Sequence, residues 1–119
     1  MKKILVVDDE KNICLLYNKE FSAEGYEVIT ATEISEAEKL FFEGGVNLVI
    51  LDIKLTEDKD GGLELLRKMR EKDKTVPIIL NTAYPSYKAE FSTWLADAYI
   101  IKSGNLAELK TKVKELLRK

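Results

Sequence analysis

The polar side chains best suited to chemistry in this 119-residue chain stand where short apolar runs end. Carboxylates follow the first and third runs, a hydroxyl follows the fourth and an ammonium group follows the fifth: Asp8, Asp9, Glu10, Asp52, Thr82 and Lys102. Carboxylates a few ångströms apart repel one another, so they raise each other's pKa or recruit a cation, and Mg²⁺ prefers hard oxygen ligands. The pattern therefore predicts a Mg²⁺ site.

The same groups suit a phosphoryl group. The Asp52 carboxylate can attack phosphorus as a nucleophile, while a metal ion, the Thr82 hydroxyl and the Lys102 ammonium neutralise charge on the transferring oxygens. The chain contains no histidine, which removes the commonest general base, the usual catalytic triads and most zinc sites. Any reaction must then use carboxylates, hydroxyls and lysines.

Each group taken alone also has a structural explanation. The three acids after the first run could cap a helix and complement its dipole. Thr82 could be an ordinary β-branched strand residue, and Asp52 and Lys102 could be solvated charges. Four separate strand ends that deliver complementary groups to one crevice are hard to obtain from such causes, so the combination favours a functional site.

Five apolar runs predict the strands that must position these groups, at residues 4–7, 26–31, 46–51, 76–80 and 98–101. The first, third and fourth are nearly continuous Val, Ile and Leu, as in strands covered on both faces. Segments with helical spacing lie between them, the clearest behind a predicted cap at Asn105. The alternation predicts an α/β, doubly wound, five-stranded parallel sheet with five helices, as one domain over residues 1–119. Ligands of such folds bind at the carboxyl ends of the strands.

Composition excludes several classes of partner. Lysine and arginine total 19 against 21 acids, a net charge of −2, so we expect no direct binding to nucleic acid. No apolar run approaches the roughly 20 residues needed to cross a bilayer, which predicts no membrane span. Cys14 is the only cysteine and the N-terminal apolar stretch is too short for a signal peptide, so we expect a cytoplasmic location.

The order of the motifs resembles the response-regulator receiver domains of two-component signalling. The chain carries DDE after the first strand, LVILD ending the third, NTA ending the fourth and AYIIK in the fifth, so the resemblance covers essentially the whole chain. It implies the flavodoxin-like strand order 2-1-3-4-5 and a phosphorylation switch rather than a turnover enzyme. Asp52 would accept the phosphoryl group, and the face of the fourth helix, fifth strand and fifth helix would change conformation.

The resemblance also implies a metal site. Asp9, Asp52 and the backbone carbonyl of Lys54 would bind Mg²⁺, and Asp8 would support the metal through water or hydrogen bonds. Lys54 and Tyr84 match two variable positions that tune hydrolysis of the aspartyl phosphate in this family, and a bulky Tyr84 would shield the phosphoryl group. The segment 53–62 lacks the usual proline and is about two residues longer than the common pattern, with the third helix expected to start near residue 62.

A second set of roles concerns the switch. Lys102 would pair with the carboxylate and then with the phosphate, while Thr82 would move to meet a phosphoryl oxygen. Tyr99 matches the switch aromatic of the family, with a half-buried strand tyrosine as the alternative. Ser103 stands where the family usually has proline, often after a cis bond, and the sequence leaves open whether the Lys102–Ser103 bond is cis or trans.

Partners follow from what the chain lacks. Without histidine it cannot present phosphohistidine itself, so the phosphoryl donor must be another molecule. A histidine kinase or a phosphotransfer protein fits this role, and the sequence does not identify the downstream protein target. On the first helix Ile13, Leu16, Tyr17 and Phe21 share one arc. Leu15 is then predicted to be exposed, either as an ordinary surface leucine or as a docking point for a kinase helix. Aromatic residues at 84–94 would mark a partner surface where they are exposed.

Three other functions remain open. A flavin- or nucleotide-binding protein of this architecture would need a loop rich in Gly, Ser or Thr after the first strand, where this chain has acids. An aspartyl-phosphate hydrolase would want a second acid two residues after Asp52, where Lys54 stands. A pseudo-receiver would never be phosphorylated, and the Ser103 and loop departures keep it in view. The chain could be a stand-alone regulator or a domain cut from a longer one.

Overall fold

The computed structural model describes residues 1–52, 59–83 and 95–118, and within these it does not define the side chains of residues 59–63. Its five parallel strands are β1 (Lys3–Val7), β2 (Glu27–Ala31), β3 (Leu48–Leu51), β4 (Ile78–Thr82) and β5 (Ala98–Ile101). They form one sheet in the order β2-β1-β3-β4-β5. The predicted strand order and parallel pairing are confirmed, with strand ends within two residues of the predicted positions.

Four helices lie within the described residues: α1 (Lys11–Ala23), α2 (Ile34–Phe42), α3 (Lys59–Lys72) and α4 (Ala107–Leu117). The helix predicted as the fourth falls on residues 84–94, outside the described part of the chain, so α4 is the helix predicted as the fifth. The Asn105 side chain accepts the Ala107 N–H at 2.9 Å and closes the turn that leads into α4.

The predicted start of α3 near residue 62 is wrong, because the helix begins at Lys59 and contains Gly61 and Gly62. Glycine costs about 1 kcal/mol in a helix interior. Burial of a side chain such as Leu65, Leu66 or Met69 contributes about 1.5–3 kcal/mol, and all three are fully buried here. Packing of α3 on the sheet therefore outweighs the low helix propensity of the two glycines.

The core lies on both faces of the sheet, as the continuous apolar strands predict. Every residue of β3 and β4 is buried, and β1 is buried from Ile4 onward. One face packs against α2 and α3, through residues that include Leu5, Val49, Leu80, Phe41 and Met69. The other face packs against α1 and α4, through residues that include Ile4, Ile50, Ile79, Phe21 and Val113. The register of β1, β3, β4 and β5 brings the residues that follow these strands to the same end of the sheet.

None of the helices in the described residues is long and apolar enough to cross a membrane.

Candidate functional site

The candidate site lies at the carboxyl ends of the strands, where backbone hydrogen bonds extend the sheet by one residue. The Asp52 N–H donates to the Val7 carbonyl at 2.9 Å, and the Asp8 N–H donates to the Ala31 carbonyl at 3.0 Å. The Lys102 N–H donates to the Thr82 carbonyl at 2.7 Å. Residues directly after β1, β3 and β5 are therefore held as firmly as the strands themselves.

The side chain of Lys102 joins the two buried acids of the site. Its Nζ lies 2.7 Å from Asp8 Oδ2 and 2.9 Å from Asp52 Oδ2, and a third carboxylate oxygen, Glu10 Oε1, is 3.8 Å away. Asp8 is 2% exposed and Asp52 is 6% exposed. Buried carboxylates are tolerated only when they are paired, so the ammonium group makes this acidic pocket stable without a metal ion.

Burial and pairing act in opposite directions on the pKa values of this pocket. Burial raises the pKa of Asp8 above its ordinary value, and the hydrogen bonds from Lys102 and from the Glu10 N–H offset only part of that rise. For Lys102, burial alone would lower the pKa, but hydrogen bonds and charges from Asp8 and Asp52 together raise it well above the ordinary value. Lys102 therefore carries its positive charge throughout the physiological range.

The acids after β1 fit a hard divalent cation. One carboxylate oxygen from each of Asp8, Asp9 and Glu10 can be chosen so that all three lie within 4.8 Å of one another, with Asp8 buried and the other two exposed. Mg²⁺ is bound in proteins by a few carboxylates and keeps several waters, so an open cluster of this kind suits it. Glu10 belongs to this cluster although it was not among the predicted ligands, while Lys54 lies outside the described residues.

The predicted switch residues lie on the two neighbouring strands. Thr82 is fully buried at the end of β4. Tyr99 is half-buried in β5, opposite Leu80, and packs against the core on the α2 and α3 side of the sheet. The Lys102–Ser103 bond is trans, since no cis peptide bond occurs in the residues that the structure describes.

One part of the helix α1 prediction is wrong. Leu15 is 68% exposed, as its position predicts, but Leu16 is 40% exposed although it was assigned to the buried arc. The residues of α1 that are buried are Cys14, Tyr17 and Phe21. That spacing centres the covered face between Cys14 and Tyr17 and leaves Leu16 at its edge.

Sequence reasoning missed a polar link beneath the site. The Tyr17 hydroxyl donates to Asn81 Oδ1 at 2.7 Å, and Asn81 Nδ2 donates to the Ile100 carbonyl at 3.2 Å. Asn81 is buried near the end of β4, directly after three apolar residues, Ile78–Leu80. An amide in such a position must find partners, and this was the signal available in the sequence.

Comparison with known proteins gives consistent results. A family model described as the response regulator receiver domain matches residues 4–114 of this chain. The response regulator TrrA of Thermotoga maritima, solved in complex with Mg²⁺–BeF, is 51% identical with a TM-score of 0.91, and the match covers 98% of this chain and 100% of that one. TrrA in complex with the histidine kinase ThkA gives a TM-score of 0.88 at 51% identity, covering 98% and 99% of the two chains.

A curated relative is the alkaline phosphatase synthesis transcriptional regulatory protein PhoP of Bacillus subtilis. It is 36% identical over 123 residues, a match that covers 99% of this chain and 49% of the relative. The chain spans about half the length of the curated relatives it matches.

Proposed function

Because this chain belongs to the family of response regulator receiver domains, we propose that residues 1–119 act as one receiver unit, a phosphorylation-dependent switch in two-component signalling. The observation that carries the proposal is the arrangement of two buried acids, Asp8 and Asp52, around the half-buried Lys102 at the strand ends. It presents a carboxylate nucleophile beside a permanent cation, in the part of the fold where ligands bind.

The transfer itself needs little from the protein beyond position and charge. An oxygen of the Asp52 carboxylate attacks the phosphorus of a phosphohistidine donor. The new O–P bond forms as the N–P bond breaks, and the bonding electron pair leaves with the donor's imidazole. Lys102 stays close to Asp52 and stabilises the negative charge on the transferred group.

The Mg²⁺ site is proposed for Asp9 and Asp52, with Asp8 in support and the Lys54 carbonyl as a further ligand. When bound, the ion supplies positive charge against the phosphoryl oxygens. The structure of TrrA with Mg²⁺–BeF, at 51% identity, supports this assignment. Glu10, which extends the acidic cluster, is a candidate for water-mediated contact with the ion.

The response to phosphorylation is proposed to pass through Thr82 and Tyr99. The Thr82 hydroxyl would turn toward a phosphoryl oxygen, and Tyr99 on the neighbouring strand would repack. The affected face would then be formed by the predicted fourth helix, β5 and α4. A net charge of −2 supports a protein rather than a nucleic acid as the partner of this face.

The donor is proposed to be a histidine kinase or a phosphotransfer protein that docks on α1. Leu15 and Leu16 together expose an apolar pair on this helix, a few residues after the acids. The complex of TrrA with the histidine kinase ThkA supports a kinase donor. We propose that the chain meets this donor in the cytoplasm and that it catalyses its own phosphorylation and dephosphorylation rather than acting as a turnover enzyme.

The experiment is incubation with Mg²⁺ and acetyl phosphate, read by intact mass. We expect the mass of one phosphoryl group to be added to the parent chain, and nothing to be added to an Asp52→Asn variant or when Mg²⁺ is removed by EDTA. A parent chain that gains no mass would support the pseudo-receiver alternative. Steady turnover of a generic phosphoester would support a hydrolase instead.

A further inference from the structure

The buried face of α1 carries two polar side chains that reach toward the site from beneath. Cys14 and Tyr17 lie one turn apart, and both are buried. The Cys14 thiol donates to the Asp8 carbonyl at 3.3 Å, and the Tyr17 hydroxyl donates to Asn81 Oδ1 at 2.7 Å. The Cys14 thiol also lies within hydrogen-bond distance of the Ala31 carbonyl, at 3.9 Å, so this one helix is bonded to the ends of three strands, β1, β2 and β4.

Asn81 passes the contact on to β5. Its Nδ2 donates to the Ile100 carbonyl at 3.2 Å, in addition to the backbone pairing of the two strands. The next residue of β4 is Thr82, whose carbonyl accepts the Lys102 N–H at 2.7 Å. The chain of bonds from Tyr17 thus ends on the two strands that carry the Thr82 hydroxyl and the Lys102 ammonium.

The orientation of the Asn81 amide is determined by both of its partners. Its oxygen faces a hydroxyl that can donate, and its nitrogen faces a carbonyl that can only accept. Tyr17 and Asn81 are each 2% exposed, so water cannot replace a lost partner. Removal of the Tyr17 hydroxyl would leave the Asn81 oxygen buried without its donor, directly beside Thr82.

We propose that Tyr17 is a positioning residue for phosphoryl transfer, which acts through Asn81 to hold Thr82 and Lys102 in place. The inference rests on the proposed function, since it assigns Tyr17 a part in that site's reaction. In this proposal Tyr17 contacts neither the acids of the site nor the phosphoryl group. Its influence reaches them only through the ends of β4 and β5.

The electrostatic surroundings of Tyr17 support the proximity that this role requires. Burial raises the pKa of its hydroxyl to about 12, with further effects from the charges of Lys102, Asp8 and Asp52. The hydroxyl therefore stays protonated and remains a donor to Asn81 at any physiological pH.

The test is the rate of phosphorylation by acetyl phosphate in Tyr17→Phe, with Tyr26→Phe as the matched control. Tyr26 packs in the same core cluster, but it directly precedes β2 and so lies at the amino ends of the strands, whereas the site lies at their carboxyl ends. We expect Tyr17→Phe to react about tenfold more slowly, the effect of one lost buried hydrogen bond, and Tyr26→Phe to react at the parent rate. Equal rates for the parent and Tyr17→Phe would overturn the proposal.

A double variant separates positioning from stability. Replacing both partners by apolar groups removes the unsatisfied amide, so Tyr17→Phe with Asn81→Leu should be more stable in urea than Tyr17→Phe alone. If the polar link positions the site, the double variant still reacts slowly. Recovery of the rate together with the stability would mean that the link serves only to hold the fold, and the proposal would fail.

Amide hydrogen exchange gives a readout that needs no phosphoryl transfer. In Tyr17→Phe we expect faster exchange at the Lys102 N–H, which bonds to Thr82, and unchanged exchange at the Asp52 N–H, which bonds to Val7. Equal exchange at Lys102 in the parent and the variant would overturn the positioning role. A parent chain that accepts no phosphoryl group would overturn the proposed function instead, so the two failures are distinct.

Discussion

The ammonium group of Lys102 lies between two carboxylates that the fold separates from water. Asp8 and Asp52 each accept a hydrogen bond from it at less than 3 Å. Without this cation two negative charges would remain in a buried pocket, which is far more costly than the loss of a surface pair. The site therefore has a structural requirement for Lys102 in addition to any role in phosphoryl transfer.

We predict that Lys102→Met lowers the free energy of unfolding by about 3 kcal/mol at neutral pH without Mg²⁺, because it leaves a buried acid pair without its partner. Urea unfolding measures the change. The control is Lys112→Met, since Lys112 forms an exposed pair with Glu115 at 3.2 Å and should cost about 0.5 kcal/mol or less. Equal losses in the two variants would contradict the account of the pocket.

At the scale of elements, the end of α3 is tied to both of the strands it precedes. Arg70 donates to the Leu95 carbonyl at 2.8 Å, to the Val76 carbonyl at 2.6 Å and to Asp97 Oδ2 at 2.7 Å. The same Asp97 oxygen accepts the Ile78 N–H at 2.8 Å. A single guanidinium thus connects α3, the start of β4 and the turn before β5.

Replacement of Arg70 by Met should lower the free energy of unfolding by about 2–4 kcal/mol, because three acceptors lose one partner at once. Arg70→Lys should recover only part of this, since an ammonium group cannot reproduce the planar fork. Thermal and urea unfolding measure both. Arg67→Met is the matched control on the same helix, because it removes only an exposed ion pair with Glu64 at 3.9 Å. If Arg67→Met lowered the free energy of unfolding as much as Arg70→Met, the role of Arg70 as a link between these elements would be refuted.

The turn after α3 supplies a prediction about pH. Asp73 accepts hydrogen bonds from the Thr75 N–H at 2.9 Å, the Thr75 hydroxyl at 2.9 Å and the Val76 N–H at 3.1 Å. The Thr75 N–H, followed by the Thr75 hydroxyl, lowers the pKa of Asp73 below its ordinary value. Because the folded pKa is lower than the unfolded one, this stabilisation is present above the unfolded pKa and is lost as pH falls through the folded pKa.

Asp73→Asn should therefore be less stable than the parent by about 1 kcal/mol or less at pH 7, a value reduced by the partial exposure of the group. The difference should begin to shrink below about pH 4, where the carboxylate of the unfolded chain becomes protonated, and should be lost once the pH has fallen below the lowered pKa of the folded chain. Urea unfolding over a pH series measures this, with the exposed Glu71→Gln on α3 as the control. A difference that stays constant down to pH 2 would be incompatible with the lowered pKa.

The elements were more predictable than the contacts between them. Continuous Val, Ile and Leu runs gave strand positions and parallel pairing, because burial on both faces leaves few alternatives. The start of α3 was misplaced because Gly61 and Gly62 suggest a loop when neighbouring packing is ignored. The bond between Tyr17 and Asn81 joins residues 64 positions apart, and neither residue type predicts the other without the fold.

At the scale of the whole molecule, parallel strands bring residues 8, 52 and 102 from three distant parts of the chain to one edge. The strand order made this meeting predictable, since strand ends of a parallel sheet share an edge. The result is an acidic pocket around one half-buried cation, Lys102, next to a cluster of oxygen ligands in which Asp9 and Glu10 are exposed. Such a pocket should gain stability from a divalent ion.

We predict that Mg²⁺ raises the melting temperature, because an ion that binds only the folded chain stabilises it by about 2.7 kcal/mol at a hundredfold excess over its Kd. Removal by EDTA should reverse the shift, and Asp9→Asn should reduce it strongly. The control is Glu43→Gln, an exposed acid after α2, which should leave the shift unchanged. The same response in Asp9→Asn and Glu43→Gln would point to a nonspecific effect of the ion.

The phosphoryl group is proposed to be carried by Asp52 and by no other acid of the pocket. The most direct measurement is reduction with borohydride after incubation with acetyl phosphate and Mg²⁺, which converts an aspartyl phosphate to homoserine, followed by sequencing of the peptides by mass spectrometry. We expect homoserine at position 52 alone. Homoserine at position 8 or 9, or at no position in a chain that has gained phosphoryl mass, would contradict it.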